Sequence, residues 1–157
     1  MNRVVLLAGG NQGDRRALMT QATGLLTRRV GRLVALSSLH ETEPWGDFAE
    51  ERPPLFLNRA IVLDTGLPPE GVLLEAQRIE ALLGRRRVSG AAGYTSRTMD
   101  LDIIFYNDMV ADMPGLVLPH PRMHLRRFVL EPLCEVMPGY RHPLLGLTMD
   151  ELLAGLG

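Results

Sequence analysis

Ser96-Arg97-Thr98-Met99-Asp100-Leu101-Asp102-Ile103-Ile104-Phe105-Tyr106 is the stretch on which the fold turns. Ile103, Ile104, Phe105 and Tyr106 are β-branched or aromatic, and Asn107-Asp108 punctuates the chain behind them, so the segment predicts a strand. Side chains alternate along a strand, which puts Asp100 and Asp102 on one face and Leu101 and Ile103 on the other. Two neighbouring carboxylates repel, and partial burial strips their hydration at a cost of several kcal/mol unless something pairs with them. A divalent cation is the simplest partner. Magnesium takes one or two carboxylates, several waters and the oxygens of a phosphate. Arg97, just upstream, offers a planar fork to the same oxygens. The plainer alternative is an edge strand whose acids face water, since D-x-D is a short pattern.

Around this stretch lies a chain of 157 residues, 46% hydrophobic and 22% charged, with a net charge of −1. That composition fits one globular domain, residues 1–157, and argues against a general nucleic-acid or membrane binder. The single cysteine, Cys134, cannot close an internal disulfide and reads as a reduced, buried thiol. The N-terminal apolar run is too short for a signal peptide, and no run approaches the roughly 18 apolar residues of a membrane span. The expectation is a cytoplasmic protein.

Upstream, Val4 to Ala8 reads as a buried strand, Gly9 to Asp14 as a tight turn, and Asp14 as the cap of a helix carrying Leu18, Ala22, Leu25, Leu26 and Val30. The turn lacks the order of a phosphate-binding glycine loop. Leu33 to Leu39 suggests a second strand, followed by a long loop in which Pro44, Pro53 and Pro54 exclude regular structure. Trp45 in that loop fills a core or covers a ligand. Phe56 to Asp64 alternates as a strand, with Phe56, Asn58, Ala60 and Val62 on one face and Leu57, Ile61 and Leu63 on the other. Asn58 must find hydrogen-bond partners there. From spacing alone, bridging two loops is its first reading, and an amide edge of a ligand is the second. Pro68-Pro69 opens a helix with a stripe of Val72, Ala76, Ile79 and Leu83, which Gly84 ends. Arg85-Arg86-Arg87 answers that helix's dipole or meets a polyphosphate. Val88 to Ser96, rich in glycine and small residues, predicts a mobile loop.

Downstream, Met109 to Leu118 predicts a hairpin. A second dense block, Leu118-Pro-His120-Pro-Arg-Met-His-Leu-Arg126-Arg-Phe128, follows it. Zinc is disfavoured among His120, His124, His142 and Cys134, because only His120 and His124 have ligand spacing and Pro121 weakens a helix between them. Val129 to Val136 continues as apolar structure, and Thr148-Met-Asp-Glu151 is a capping box.

Arg97-Thr-Met-Asp100-Leu-Asp102-Ile-Ile and Pro119-His120-x-x-Met-x-x-Arg126-x-Phe128 resemble the two signature segments of the 6-hydroxymethyl-7,8-dihydropterin pyrophosphokinases. The resemblance runs from the first strand turn, where Gly10 replaces the family's usual serine, to Phe128. It implies a ferredoxin-like α+β sandwich, a mostly antiparallel sheet covered by helices. It also implies in-line transfer of a pyrophosphoryl group from ATP to the pterin's hydroxymethyl oxygen. Asp100 and Asp102 would hold two Mg2+ ions. Arg97 and Arg87 would stabilise the transferring charge, and Glu80, Arg85, Ile103, His120 and Arg126 would contact ATP. Thr42, Pro44, Trp45 and Asn58 would line the pterin pocket, with Phe56 and Phe128 stacking on the ring. Tyr94 survives from a loop where the family carries a basic residue, and Gly93 does not replace that charge. Two other classes remain open: a non-catalytic ATP-binding regulator and a magnesium-dependent nucleotidyltransferase.

Overall fold

The computed structural model describes residues 1–43, 55–84 and 99–156. Strand β1 (Asn2–Gly10) leads into helix α1 (Arg15–Arg29), then β2 (Gly31–Leu36), β3 (His40–Thr42) and β4 (Phe56–Thr65). Helix α2 (Pro69–Leu82), β5 (Asp100–Tyr106), the hairpin β6 (Ala111–Met113) and β7 (Leu116–Leu118), and helices α3 (Arg127–Val136) and α4 (Met149–Ala154) follow. The main sheet runs β2-β4-β1-β5, β3 also pairs with β4, and every pairing is antiparallel. The units β1-α1-β2 and β4-α2-β5 therefore interleave, each with a strand of the other between its own two. That is the ferredoxin-like sandwich.

Both faces of the sheet are buried, which is why β1 is a continuous apolar run rather than an alternating one. On one face Val4, Leu6, Leu57, Ile61, Leu63, Leu101 and Ile103 pack against Met19, Leu26, Val72 and Ile79 of α1 and α2. On the other, Val5, Leu7, Ala60, Val62, Ile104 and Phe105 meet Val129, Leu130, Leu133, Met149 and Leu152 of α3 and α4. The alternation expected in β4 holds. In β5 it holds through Ile103, and then the register against β1 slips between Val5 and Leu6. Ile104 is the extra residue of this bulge, so Ile104 and Phe105 share one face and Tyr106 returns to the other.

Helix ends follow local chemistry. The Asp14 carboxylate accepts the Ala17 N–H at 3.2 Å, Pro69 opens α2, Gly84 leaves it at φ +87°, and Thr148 with Glu151 closes a capping box. Two expectations change, and a third gains its element type. Strand β1 continues through Gly9 and Gly10, which pair with Asn58 and Leu57 instead of turning. The second strand, expected from Leu33 to Leu39, ends at Leu36, where Ser37 exchanges hydrogen bonds with Ala60 through its own N–H and hydroxyl, and β3 forms beyond it at the start of the expected loop. Val129 to Val136 lies within a helix that tolerates Pro132. Among the described residues, no helix is long and apolar enough to cross a membrane.

Glu135 of α3 ties this second helical layer to β3. Its carboxylate accepts from the Ser38 N–H and hydroxyl and from His40 Nε2 at 3.0 Å. Those hydrogen bonds, Ser38's first, pull its carboxyl from 4.5 down to about 2. The folded state thus gains from Glu135 above pH 4.5 and loses that gain as pH falls toward 2. Over this window Glu135→Gln is expected to flatten the acid limb of a stability-against-pH curve measured by urea unfolding. Parallel limbs for variant and wild type would show that the clasp adds nothing.

Candidate active site

Pairing register builds the site. Gly9 of β1 lies between Asn58 of β4 and Asp100 of β5, and in the next row Leu7 lies between Ala60 and Asp102. Opposed residues of an antiparallel sheet project to the same side, so Asn58, Asp100 and Asp102 all rise on the face that α3 covers. Asn58 and Asp100 are two strand spacings apart, about 10 Å at the backbone. Between them the floor is bare. A Cβ on Gly9 would sit 2.8 Å from Asn58 Oδ1, so only glycine leaves that amide its place. Gly9, expected in a turn, is thus a strand residue. The available signal was a glycine directly continuing an apolar strand.

At one end of the row, Asn58 is 2% exposed and its Nδ2 donates to Thr42 Oγ1 at 2.7 Å. Phe56 rises half-buried on the same face, paired across the ladder with Thr42. Phe128, in the first turn of α3, packs half-buried against the α3-side core. The Arg126 guanidinium lies 5.8 Å over its ring centre. Thr42, Phe56 and Asn58 are thus brought together as expected.

At the other end, Asp100 and Asp102 are half-buried on β5. Two contacts hold the outer side of this strand. Glu80 of α2, 6% exposed, accepts the Leu101 N–H on Oε2 at 2.7 Å, and Ile104 O accepts the His120 N–H at 3.0 Å. Glu80, expected as an ATP contact, is therefore buried against the back of the strand that carries both acids. A cavity of about 700 Å³ opens beside it, lined in part by Leu73, Leu101, Asp102, Ile103, Leu116 and His120. The β6–β7 hairpin supplies one wall, a contribution the sequence did not suggest. Among the described residues, no three His, Cys, Asp or Glu side chains gather as metal ligands. Two half-exposed carboxylates on one face of a strand, of which Asp102 lines the open cavity, do suit magnesium, which fills its shell with water and phosphate oxygens.

Burial, chiefly, and the Arg126 charge push the His120 imidazole down to about 4, partly opposed by Asp100. His120 is therefore neutral at physiological pH. Its Nδ1 accepts the Arg122 N–H at 3.2 Å, which leaves the proton on Nε2. In that state the imidazole offers a neutral hydrogen-bond donor rather than a positive charge. The pH profile of kcat/KM should accordingly show no His120 limb near 6.5. A limb there that His120→Gln abolishes would contradict the neutral assignment. Pro44, Trp45, Arg85, Arg87 and Arg97, with the loop after Trp45 and that from Val88 to Ser96, lie outside the described residues.

Comparison with known proteins converges on one family. The model of the 7,8-dihydro-6-hydroxymethylpterin-pyrophosphokinases matches residues 5–138. The 2-amino-4-hydroxy-6-hydroxymethyldihydropteridine pyrophosphokinase of Porphyromonas gingivalis is 43% identical over 141 residues, 89% of this chain and 93% of its own. The Bacillus subtilis protein of the same name is 40% identical over 138 residues, 87% of this chain and 79% of its own. Among solved structures, Plasmodium falciparum HPPK-DHPS with pteroate superposes with a TM-score of 0.77 at 17% identity. That match covers 98% of this chain and 42% of the Plasmodium chain, and at such identity it speaks for the fold alone.

Proposed function

This chain belongs to the 7,8-dihydro-6-hydroxymethylpterin-pyrophosphokinase family, and on that premise we propose how its residues divide the work. It transfers a pyrophosphoryl group to the hydroxymethyl group of 6-hydroxymethyl-7,8-dihydropterin in folate biosynthesis. The donor is ATP, and AMP leaves. The observation that carries this reading is the row Asn58–Gly9–Asp100. An amide at one end, acids at the other and a bare floor of about 10 Å suit a flat bicyclic ring whose hydroxymethyl arm points toward a polyphosphate.

Asn58 hydrogen-bonds the amide edge of the pterin, held in rotamer by Thr42. Phe56 and Phe128 stack on the ring. Asp100 and Asp102 would hold two Mg2+ ions, whose charge would neutralise the phosphates for in-line displacement. His120 donates its Nε2 proton to a phosphate oxygen, and Arg126 supplies positive charge between the two substrates. Ile103 and the apolar wall of the cavity receive the nucleotide's base. Glu80 acts by holding β5 in place. Arg97, with Arg85 and Arg87, completes the phosphate site by resemblance. The whole chain is one domain and acts as a cytoplasmic monomer on these two small molecules.

Incubation with ATP, Mg2+ and the reduced hydroxymethylpterin, with separation of the nucleotides, tests the reading. AMP and the pterin diphosphate are expected in equal amounts. Formation of ADP, release of pyrophosphate, or ATP binding without turnover would overturn it. The stacking assignment has its own test. Phe56→Ala and Phe128→Ala should each weaken pterin binding by about 2- to 13-fold beyond lost burial, as aromatic contacts of about 0.5–1.5 kcal/mol imply. ATP affinity should hold in the same titrations. An equal fall for ATP would remove the assignment.

A further inference from the structure

Arg15 is the first residue of α1, and a cation there opposes the helix dipole. A residue that breaks a local rule needs a partner elsewhere. Arg15 has two. Its NH2 reaches Glu41 Oε2 at 3.1 Å, and its NH1 donates to the Leu55 carbonyl at 2.8 Å. Glu41 is the middle residue of β3, and Leu55 immediately precedes β4. These strands pair antiparallel, Thr42 opposite Phe56 and Glu41 opposite Leu57. One planar guanidinium therefore spans the mouth of the β3–β4 pair, binding each strand through a separate nitrogen.

The span ends next to the amide. Thr42 follows Glu41 directly and its hydroxyl accepts from Asn58, while Phe56 follows Leu55. Arg15, Glu41 and Leu55 also line a small cavity of about 420 Å³ with Asn11, Gln12 and Gly13, so open space rather than packed side chains adjoins the guanidinium. We infer that Arg15 is a positioning residue for the pterin side of the site, fixing the Thr42–Phe56 pair and through it the Asn58 amide. The inference rests on the pterin reading of Asn58 proposed above. Glu41 is half-exposed, so the ion pair alone is weak and the directional bond to Leu55 must carry the geometry.

Titrations of the reduced hydroxymethylpterin and of ATP, with steady-state kinetics, test this in full-length protein. Arg15→Ala is expected to weaken pterin affinity about tenfold, as indirect coupling of this kind allows. ATP affinity should stay within about twofold, and kcat at saturating pterin should change little. Arg15→Lys, which folds with the charge retained but cannot fork to both partners, should fall between Arg15→Ala and wild type. Adding Arg15→Ala to Asn58→Ala should cost clearly less than the single Arg15→Ala loss, since the part of the effect that passes through the amide is already gone and only the part through Phe56 remains. Additive losses, or equal losses for ATP and pterin, would make Arg15 a general structural staple and overturn the inference. If Asn58→Ala leaves pterin affinity unchanged, the pterin reading fails and the inference with it. If Asn58→Ala matters and neither Arg15 variant does, only the inference fails.

Discussion

Asp100→Asn and Asp102→Asn are each expected to lower turnover by about a thousandfold or more, while leaving the unfolding midpoint within a few degrees of wild type. Both carboxylates stand half-buried on β5 opposite small or apolar partners, Gly9 and Leu7, so an amide of the same size fits without repacking. The amide removes charge from the place where magnesium and the polyphosphate meet. Metal-held charge supplies several kcal/mol of the barrier reduction in phosphoryl transfer, and about 4 kcal/mol corresponds to a thousandfold in rate. Steady-state assays with saturating ATP and Mg2+ give turnover, and thermal denaturation gives the control. Turnover within tenfold of wild type for both variants would remove the acids from the metal site.

Asn58→Leu should separate binding from stability. Asn58 is buried on a strand face it shares with Ala60 and Val62, so leucine is the better residue there for the fold. The unfolding midpoint should therefore hold or rise. Pterin affinity should fall by about a hundredfold, because the ligand's amide edge would lose its partner inside a desolvated slot, a loss of about 3 kcal/mol. Thr42, half-buried, can turn its hydroxyl to water. ATP affinity should be unaffected. A variant that loses stability and keeps its pterin affinity would make Asn58 the loop-bridging residue that spacing alone suggested. Such opposition between stability and function is characteristic of residues kept for a ligand.

Much of the fold was legible because it is local. The alternation of Asp100 to Ile103, the Asp14 and Thr148 caps, the prolines opening α2 and the Gly84 stop all depend on neighbours within a few residues. Strand order followed from the resemblance of two dense motifs, not from periodicity. Misreadings fell where a distant partner overrides local preference. Gly9 and Gly10 look like turn residues until Asn58 and Leu57 are laid beside them. Leu33 to Leu39 looks like one strand until Ala60 engages Ser37 on two sides.

By itself, the sequence determined which chemical groups exist and in what local order: paired acids on a strand, a carboxamide on a largely apolar strand face, and a histidine in a basic block. Those are properties of side-chain type and of the two-residue strand repeat, so they survive without coordinates. Tertiary structure alone decided what each group faces. The slot floor at Gly9 needs β4 and β5 on either side, and Glu80 can hold Leu101 only when α2 lies along β5. The bulge at Ile104 changes faces through a register with β1, and Arg15 reaches both sides of the β3–β4 mouth only in the folded chain. The protonation state of His120 is also a folded property, because desolvation and the charge of Arg126 arise only on packing. Hydrogen bonds and desolvation act over a few ångströms, and here those ångströms join residues far apart in the chain.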